Sequence, residues 1–229
     1  MLDELKVSVL KANLDLVRSG LVIRTWGNAS GRDQETGLVV IKPSGVSYEK
    51  MSPDDMVVMD LSGKVVEGKF RPSTDAPTHL HLYTTYMDIG GVVHTHSAFA
   101  TAWAQACRDI PALGTTHADH CYGSIPCTRK MENDEIETDY ELNTGKVIVE
   151  RLGKMDPLSV SSVLVSCHGP FCWGKDAPDA AGKAAELEEI AKIAFYTILL
   201  GMAEPVDQAL LDKHFQRKHG KDAYYGQGK

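Results

Sequence analysis

Apolar residues recur along the chain at two spacings, one typical of helices and one typical of strands. Leu5, Val9, Ala12 and Leu16 fall on one helix face, and Gly20 follows as a residue that suits a helix C-terminus. This pattern predicts a first helix that ends near Gly20. On the same grounds, further helices are predicted from 74 or 75 to about 87, and over 98–107, 179–200 and 210–218.

Short apolar runs bounded by turn residues predict the strands. These runs cover 38–42, a hairpin of 56–60 and 64–66, and the segments that end at His96 and at Cys167. Segment 146–152 stays open, because its Val-Ile-Val centre suits a strand and its flanks suit a helix. Interleaved helices and hairpins indicate a layered α/β fold with a mixed sheet, and we expect residues 1–229 to form a single domain.

The composition excludes several classes of protein. With 43% hydrophobic and 24% charged residues, the 229-residue chain has the make-up of a globular protein. Its net charge of −7 disfavours nucleic-acid binding, and no apolar run approaches the roughly 20 residues of a membrane span. The charged N-terminus has no signal-peptide core. We therefore expect neither a nucleic-acid partner nor a membrane partner.

The cysteines indicate the compartment. Five cysteines, an odd number without a Cys-x-x-Cys pair, favour reduced thiols in the cytoplasm. Cys167 precedes His168, but we expect its side chain on the opposite face of the strand. It is therefore interpreted as a core residue and not as a metal ligand.

Two histidines, His94 and His96, stand one residue apart at the end of an apolar run. On a strand, residues two apart point to the same face, so both imidazoles should reach one metal ion. His168 also ends an apolar run and offers a third ligand, and three protein ligands leave a catalytic zinc position open. On the residues alone, ordinary hydrogen-bonded histidines remain an equal alternative.

Seven motifs along the chain carry a resemblance to a known family. They are Trp26-Gly27-Asn28-Ala29-Ser30, Lys42-Pro43-Ser44-Gly45, Pro72-Ser73-Thr74-Asp75, His94-Thr95-His96-Ser97, Gly114-Thr115-Thr116-His117-Ala118-Asp119, His168-Gly169-Pro170 and Ala223-Tyr224-Tyr225-Gly226-Gln227. In this order they resemble the class II aldolase/epimerase family over nearly the whole chain. The resemblance implies a three-layer α/β/α fold with a central mixed, largely antiparallel sheet. It also implies a homotetramer with active sites between subunits.

The resemblance further implies an activity, 4-epimerisation of a phosphopentulose by cleavage and re-formation of its C3–C4 bond. It implies one Zn²⁺ per subunit on His94, His96 and His168, with Asp75 as a carboxylate close to the metal. The zinc would act as a Lewis acid. Helix N-capping is a compatible role for Asp75.

Proton transfer at the C4 oxygen is assigned by the resemblance to Asp119 and Tyr225, with Tyr225 coming from a neighbouring subunit. His214 and Arg217 match residues near a neighbouring active site. Without the resemblance, Asp119 would be interpreted as a turn carboxylate and Tyr225 as a frayed terminal aromatic. His214 and Arg217 would be interpreted as a solvated basic helix face.

A phosphate-binding role is implied for a set of small or hydrogen-bonding residues. They are Gly27, Asn28, Lys42, Ser44, Gly45, Ser73 and Thr74. Gly and short side chains let backbone N–H groups approach an anion. An ordinary turn is the alternative for Ser44 and Gly45. His120-Cys121 and Ala98 depart from the family pattern and are expected to reshape the pocket wall.

Three other functions compete with epimerisation. A class II aldolase would release its cleaved products, but aldolases of the family carry Glu where this chain has Asp75. A non-catalytic scaffold domain, such as the adducin head, need not keep the ligands that this chain has. A non-haem iron protein would use two histidines and a carboxylate, for which His94, His96 and Asp75 qualify.

Overall fold

The computed structural model describes residues 2–201 and 203–226, and these contain one seven-stranded sheet. The strands are Asn28–Arg32 (β1), Val39–Ile41 (β2), Val57–Met59 (β3), Val65–Glu67 (β4), Gly91–His94 (β5), Ser162–Val165 (β6) and Gly169–Gly174 (β7). Their spatial order is β4-β3-β2-β1-β5-β7-β6, and every pair of neighbours is antiparallel. The expected largely antiparallel sheet is therefore confirmed. Its parallel component is an isolated bridge between Cys127 and Leu164.

Eight α-helices accompany the sheet in the described part of the chain. They are Asp3–Arg18 (α1), Ala76–Thr85 (α2), Ala98–Gln105 (α3), Thr115–Ala118 (α4), Asn133–Glu137 (α5), Tyr140–Leu152 (α6), Ala177–Leu199 (α7) and Gln208–His219 (α8). None of these helices has both the length and the apolar character needed to cross a membrane.

The central strand β1 shows why the fold has three layers. The Ser30 hydroxyl lies 2.7 Å from Nδ1 of His79, so this face of the sheet is covered by α2. The next residue, Gly31, points the other way, where a Cβ atom would lie 2.9 Å from Val9 of α1 and 3.5 Å from Ala177 of α7. Alternation along the strand thus places helices on both faces, and the expected α/β/α layering is confirmed.

Segment 146–152 belongs to helix α6, which settles the question left open by the sequence. Val147, Ile148 and Leu152 are buried at helical spacing. Gly145 lets α6 approach α2 closely, because a Cβ atom there would lie 2.9 Å from Cβ of His81. Packing against α2 therefore favours the helical conformation of segment 146–152.

Strands β1 and β7 were not predicted. The sequence of β1, Asn-Ala-Ser-Gly-Arg, contains no apolar run, and that of β7, Gly-Pro-Phe-Cys-Trp-Gly, contains only the three-residue run Phe-Cys-Trp, yet all their residues are buried. Small residues are needed there, because a Cβ atom on Gly174 would lie 2.4 Å from a carboxylate oxygen of Asp179. Close helix packing makes β1 a core strand without an apolar pattern, and in β7 it acts together with a short apolar run.

Two predictions about local structure are wrong. Strand β5 ends at His94, two residues earlier than expected, so His96 lies in the following loop. Cys167 is not a core residue. It is exposed in the turn between β6 and β7, where its φ of 62° turns the chain back on itself. Cys167 is not among the three residues of the candidate metal cluster described below, as expected.

Candidate active site

The site is organised by the pairing of β1 with β5, which places Asn28 directly opposite His94. Paired residues of antiparallel strands point to the same face, here the face covered by α2. On the other side of β5, the Pro170 carbonyl of β7 lies 2.9 Å from Nδ1 of His94. A carbonyl only accepts, so Nδ1 carries the proton and Nε2 keeps its lone pair. The fold thus sets the tautomer of His94.

His94, His96 and His168 converge from three different positions in the chain. His94 ends β5, His96 lies in the next loop, and His168 lies in the turn between β6 and β7. One ring nitrogen from each lies within 4.8 Å of the others, and Nε2 of His94 is 3.0 Å from Nε2 of His96. Two zinc–nitrogen bonds of about 2.0–2.1 Å reach nitrogens up to about 4 Å apart, so the 3.0 Å pair is within their reach and small ring movements bring in the third nitrogen. These three residues fit a divalent metal ion.

The three imidazoles are also in the protonation state that metal binding needs. Burial lowers the pKa of each, and for His168 the value falls to about 3. At neutral pH all three are therefore uncharged and can donate a lone pair. Tyr140 adds a contact, since its hydroxyl lies 3.3 Å from Nδ1 of His168 and leaves Nε2 for the metal.

Asp75 supplies a carboxylate beside this cluster. The Asn28 amide donates to its Oδ2 at 2.6 Å. Burial by itself would raise the pKa of Asp75, but the nearby imidazoles of His94 and His79, together with the Asn28 amide, hold it below its usual range. The carboxylate is therefore ionised and held in one orientation. No side-chain cap joins it to α2, although it stands at the N-cap position.

Lys42 places a buried cation near the same carboxylate. Its side chain is 2% exposed, and its ammonium donates only long bonds, of 3.3 Å to the Thr25 carbonyl and 3.4 Å to the Pro43 carbonyl. Burial lowers the pKa of Lys42, and Asp75 partly opposes that effect. An ammonium with such weak partners gains strongly from an anionic ligand.

The loops around Lys42 and Ser73 lie side by side. Ser73 donates its backbone N–H to the Lys42 carbonyl at 2.9 Å, and Ser44 donates to the Arg71 carbonyl at 3.0 Å. Gly45 has a left-handed backbone with φ of 70° and nothing within 4 Å of a Cβ position, so it leaves open space. The two loops thus form a polar rim.

One cavity of about 560 Å³ unites most of the predicted site. Its lining includes nearly all the predicted metal and phosphate residues, namely Gly27, Lys42, Ser44, Gly45, Ser73, Thr74, Asp75, His94, His96 and His168. Asn28 is the exception, because it lies beneath Asp75 and Ser73 and bonds to both. Its own Oδ1 is buried without a hydrogen-bond partner among the described residues.

Glycine is required at position 27 of the cavity wall. Gly27 has a φ of 71°, and a Cβ atom there would lie 2.7 Å from Val22 and 2.9 Å from the His94 carbonyl oxygen. The backbone of residue 27 therefore packs directly against the loop that carries the histidines.

Asp119 does not line this cavity within a single chain. Its carboxylate accepts from Nδ1 of His214 at 2.9 Å and from Arg217 at 2.6 and 3.0 Å, while Lys218 lies 3.7 Å away. Burial would raise the pKa of Asp119, but Arg217 and His214 outweigh it and lower the value. His214 and Arg217 are thus joined to Asp119 in a cluster of their own.

Tyr225 lies beside the same cluster. Its ring is 62% exposed, and the Arg217 guanidinium stands 5.0 Å from the ring centre. Its backbone N–H donates to the Arg217 carbonyl at 3.2 Å. Arg217 therefore contacts both predicted acid/base residues, Asp119 and Tyr225. Gln227, the last residue of the tail motif, lies outside the described residues.

Sequence reasoning missed four residues that line the cavity: Thr25, Trp26, Tyr140 and Glu141. Trp26 is 53% exposed, and its ring centre lies 6.1 Å from that of His96. A large aromatic residue before a turn glycine was a usable signal for Trp26. Tyr140 and Glu141 begin α6 and carried no signal, because only the packing of α6 brings them to the histidines.

The chain is similar to known proteins over nearly its whole length. A family profile described as class II aldolase and adducin N-terminal domain matches residues 7–195. L-ribulose-5-phosphate 4-epimerase UlaF of Salmonella paratyphi B is 58% identical over 227 residues, which are 99% of this chain and 100% of that protein. The protein of the same name from Salmonella paratyphi C is 59% identical over the same length and the same shares of both chains.

Solved structures show the same architecture. An L-fuculose 1-phosphate aldolase superimposes with a TM-score of 0.80 at 26% identity, over 93% of this chain and 95% of that chain. The L-fuculose-1-phosphate aldolase of Thermus thermophilus superimposes with a TM-score of 0.68 at 23% identity, over 89% of this chain and 98% of that chain. The second likeness concerns the fold alone.

Proposed function

The chain belongs to the class II aldolase and adducin N-terminal domain family, and we propose that it catalyses the 4-epimerisation of L-ribulose 5-phosphate to D-xylulose 5-phosphate. One observation carries the proposal. Three neutral imidazoles, an ionised carboxylate and a buried ammonium line one cavity, at His94, His96, His168, Asp75 and Lys42. Such a site can hold a metal ion at one end and a phosphate at the other.

The chemistry of the substrate explains this arrangement. The C4 hydrogen of a 2-ketopentose is not acidic, because C4 is not adjacent to the carbonyl, so simple deprotonation does not invert C4. Breaking the C3–C4 bond does, since the resulting aldehyde can rotate and be attacked on its other face. A divalent metal ion on the three histidines supplies Lewis-acid stabilisation of the negative charge that the three-carbon fragment acquires. We propose that this ion is Zn²⁺, because neutral imidazoles suit it.

Other residues of the cavity bind the phosphate and orient the substrate. Lys42, with Ser44, Ser73 and Thr74 on the same rim, holds the phosphate, and so keeps the two-carbon aldehyde fragment from leaving before it rotates. Asp75, fixed by Asn28, orients substrate hydroxyls beside the histidines. Release of the aldehyde fragment would make the same site an aldolase. Retention of that fragment through its phosphate, held at the polar rim, is therefore the feature that favours epimerisation.

Proton transfer at the C4 oxygen is assigned in this proposal to Asp119 and Tyr225. Both contact Arg217 and lie outside the cavity of their own chain, so they would act in the cavity of a neighbouring copy. This requires an oligomer, and we propose a homotetramer with sites between subunits, formed by single-domain chains of residues 1–229. A charged phosphopentulose does not cross a lipid bilayer, so we propose the cytoplasm as the compartment.

The test is a coupled assay. Purified, zinc-loaded protein is incubated with L-ribulose 5-phosphate, and any D-xylulose 5-phosphate is consumed by transketolase. We expect product formation that a chelator abolishes and Zn²⁺ restores. Free dihydroxyacetone in place of D-xylulose 5-phosphate would support an aldolase. Protein purified without added metal that contains iron and consumes oxygen would support the non-haem iron alternative, and protein that binds no metal would support a scaffold domain.

A further inference from the structure

Two exposed thiols meet at the surface, next to the turn that carries His168. Sγ of Cys107 lies 3.8 Å from Sγ of Cys167. Both side chains are exposed, whereas the other three cysteines of the chain are buried. Neither thiol belongs to the histidine cluster or to the lining of the cavity.

The backbone brings these two residues together. Cys107 follows α3 and Cys167 follows β6, and the same carbonyl, that of Ala104, accepts from the backbone N–H of both, at 3.0 and 2.9 Å. Both residues also have a left-handed backbone, with φ of 53° and 62°, which a non-glycine residue adopts rarely. Their proximity is therefore a result of the fold and not of two flexible side chains.

The surroundings of Cys107 favour its thiolate. The Ser166 hydroxyl donates to its Sγ at 2.9 Å, and this bond is the largest cause that lowers the pKa of Cys107. The Cys167 thiol and the Lys130 ammonium contribute in the same direction. By contrast, burial raises the pKa of the neighbouring Cys127 to about 12, so that thiol stays protonated. Exposed thiolates are the reactive form of cysteine.

We propose that Cys107 and Cys167 form a reversible disulfide when the protein meets a low-molecular-weight disulfide, RSSR. The Cys107 thiolate attacks one sulfur of RSSR, and RS⁻ leaves and takes up a proton. The Cys167 thiol then loses its proton and attacks Sγ of Cys107, which releases the second RSH. Two thiols of the chain are oxidised to one disulfide while RSSR is reduced to two thiols.

Closure of this disulfide acts on the metal site through one peptide bond. The two sulfur atoms must come from 3.8 Å to about 2.05 Å, and Cys167 is joined directly to His168. The turn holds His168 by a bond from its backbone N–H to the Val165 carbonyl at 3.0 Å. Movement of Cys167 shifts His168 relative to His94 and His96, so the oxidised protein holds a divalent ion less tightly. This second step rests on the proposed metal site, whereas disulfide formation does not.

The first experiment counts thiols in the full chain. Native reduced protein is treated with oxidised glutathione, alkylated and mapped by mass spectrometry. We expect a mass lower by about 2 Da before alkylation, loss of two alkylatable thiols, and one peptide pair that links Cys107 to Cys167 and is reversed by dithiothreitol. Cys167→Ser should stop at a glutathione adduct on Cys107, and Ser166→Ala should slow the reaction several-fold. Two unchanged thiols, or a link that involves Cys127, would overturn the proposal.

The second experiment follows Zn²⁺ release to a chromophoric chelator, without any substrate. Oxidised wild-type protein should release Zn²⁺ about tenfold faster than reduced protein. Cys107→Ser is the matched control, since it removes one exposed sulfur, and its release rate should not respond to oxidised glutathione. Equal rates for oxidised and reduced wild-type protein would contradict the link to His168 while leaving the disulfide established. Protein that binds no Zn²⁺ at all would instead refute the proposed metal site.

Discussion

Asn28 and His94 stand opposite each other in the β1–β5 pairing, and the Asn28 amide bonds to Asp75 at 2.6 Å. One pair of strands thus sets the distance between a candidate metal ligand and the carboxylate next to it. The relationship depends on a residue that does not itself line the cavity. Asn28 is therefore best described as a positioning residue for Asp75, while its expected role in phosphate binding stays a prediction.

Substitution Asn28→Ala should uncouple Asp75 from the histidines. The carboxylate loses its shortest donor, so its pKa should rise and its orientation should loosen. We expect kcat to fall about 10- to 100-fold with the metal content unchanged, as for residues that orient a metal site from outside. Steady-state kinetics and metal analysis on the same sample test this. A change in KM alone would assign Asn28 to phosphate binding only.

Substitution His96→Ala should abolish metal binding and activity together. Two imidazoles remain, which is too few for a tight zinc site, and we expect metal affinity to drop at least about 100-fold. His81→Ala is a matched control, because His81 lies on α2 and does not line the cavity. Zinc content after dialysis and the coupled assay report the two effects. Full activity of metal-free His96→Ala protein would refute the role of the metal.

Substitution Lys42→Met should weaken phosphate binding while it stabilises the fold. The buried ammonium makes long hydrogen bonds and stands 4.9 Å from the ring centre of Tyr48, so its removal takes away a charge whose burial lowers its own pKa. It also takes away a charge-assisted bond to the phosphate, and we expect KM to rise about tenfold or more. Inhibition by inorganic phosphate and thermal unfolding measure both effects. Lys50→Met, an exposed change near the same loop, serves as the control. An unchanged KM would remove Lys42 from the phosphate site.

Unfolding should become easier as the pH falls below 6.5. His79 is fully buried, and burial lowers its pKa to about 3, against 6.5 when exposed. Between these values the unfolded chain binds a proton that the folded chain does not. The free energy of unfolding therefore decreases as the pH decreases. The slope from His79 is small at pH 7 and approaches about 1.4 kcal/mol per pH unit near pH 5, where the unfolded histidine is almost fully protonated. Urea unfolding from pH 7 to 5 tests this, and His79→Gln should reduce the slope. An equal slope in the variant would contradict the cause.

Mixed oligomers should reveal whether Asp119 acts in a neighbouring cavity. Neither His96→Ala nor Asp119→Asn protein alone should have appreciable activity. Co-expressed in one cell, they should form hybrids in which some cavities have intact histidines from one chain and an intact Asp119 from another. We expect activity to recover to about a quarter of wild type for random pairing. No recovery, with hybrids demonstrated by differential tags, would place Asp119 and the histidines in a single-chain site.

Local patterns were sufficient for five of the eight helices, α1, α2, α3, α7 and α8, and for the histidine pair, whereas α4 and α5 were not predicted and α6 was left open. The spacing from Leu5 to Leu16 predicts α1, and the structure places that helix at Asp3–Arg18. His94 and His96 contact each other although His96 lies beyond the strand, because two residues at a strand end remain close in any compact continuation. Motif resemblance extended the site to Asp75 and Lys42, which periodicity alone did not single out.

Tertiary structure decided what local patterns do not encode. Strand β1 consists of Asn, Ala, Ser, Gly and Arg. It lies in the core because Gly31 allows α1 and α7 to pack closely on one face and Ser30 bonds to His79 of α2 on the other. Tyr140 reaches His168 only because α6 packs against α2. The Cys107–Cys167 contact arises from one carbonyl shared by two distant segments. The sequence by itself thus determined the five strongly periodic helices, the apolar strands and the chemistry of the ligands, which depend on near neighbours. The order of the strands and the meeting of distant residues depended on packing, which no local spacing contains.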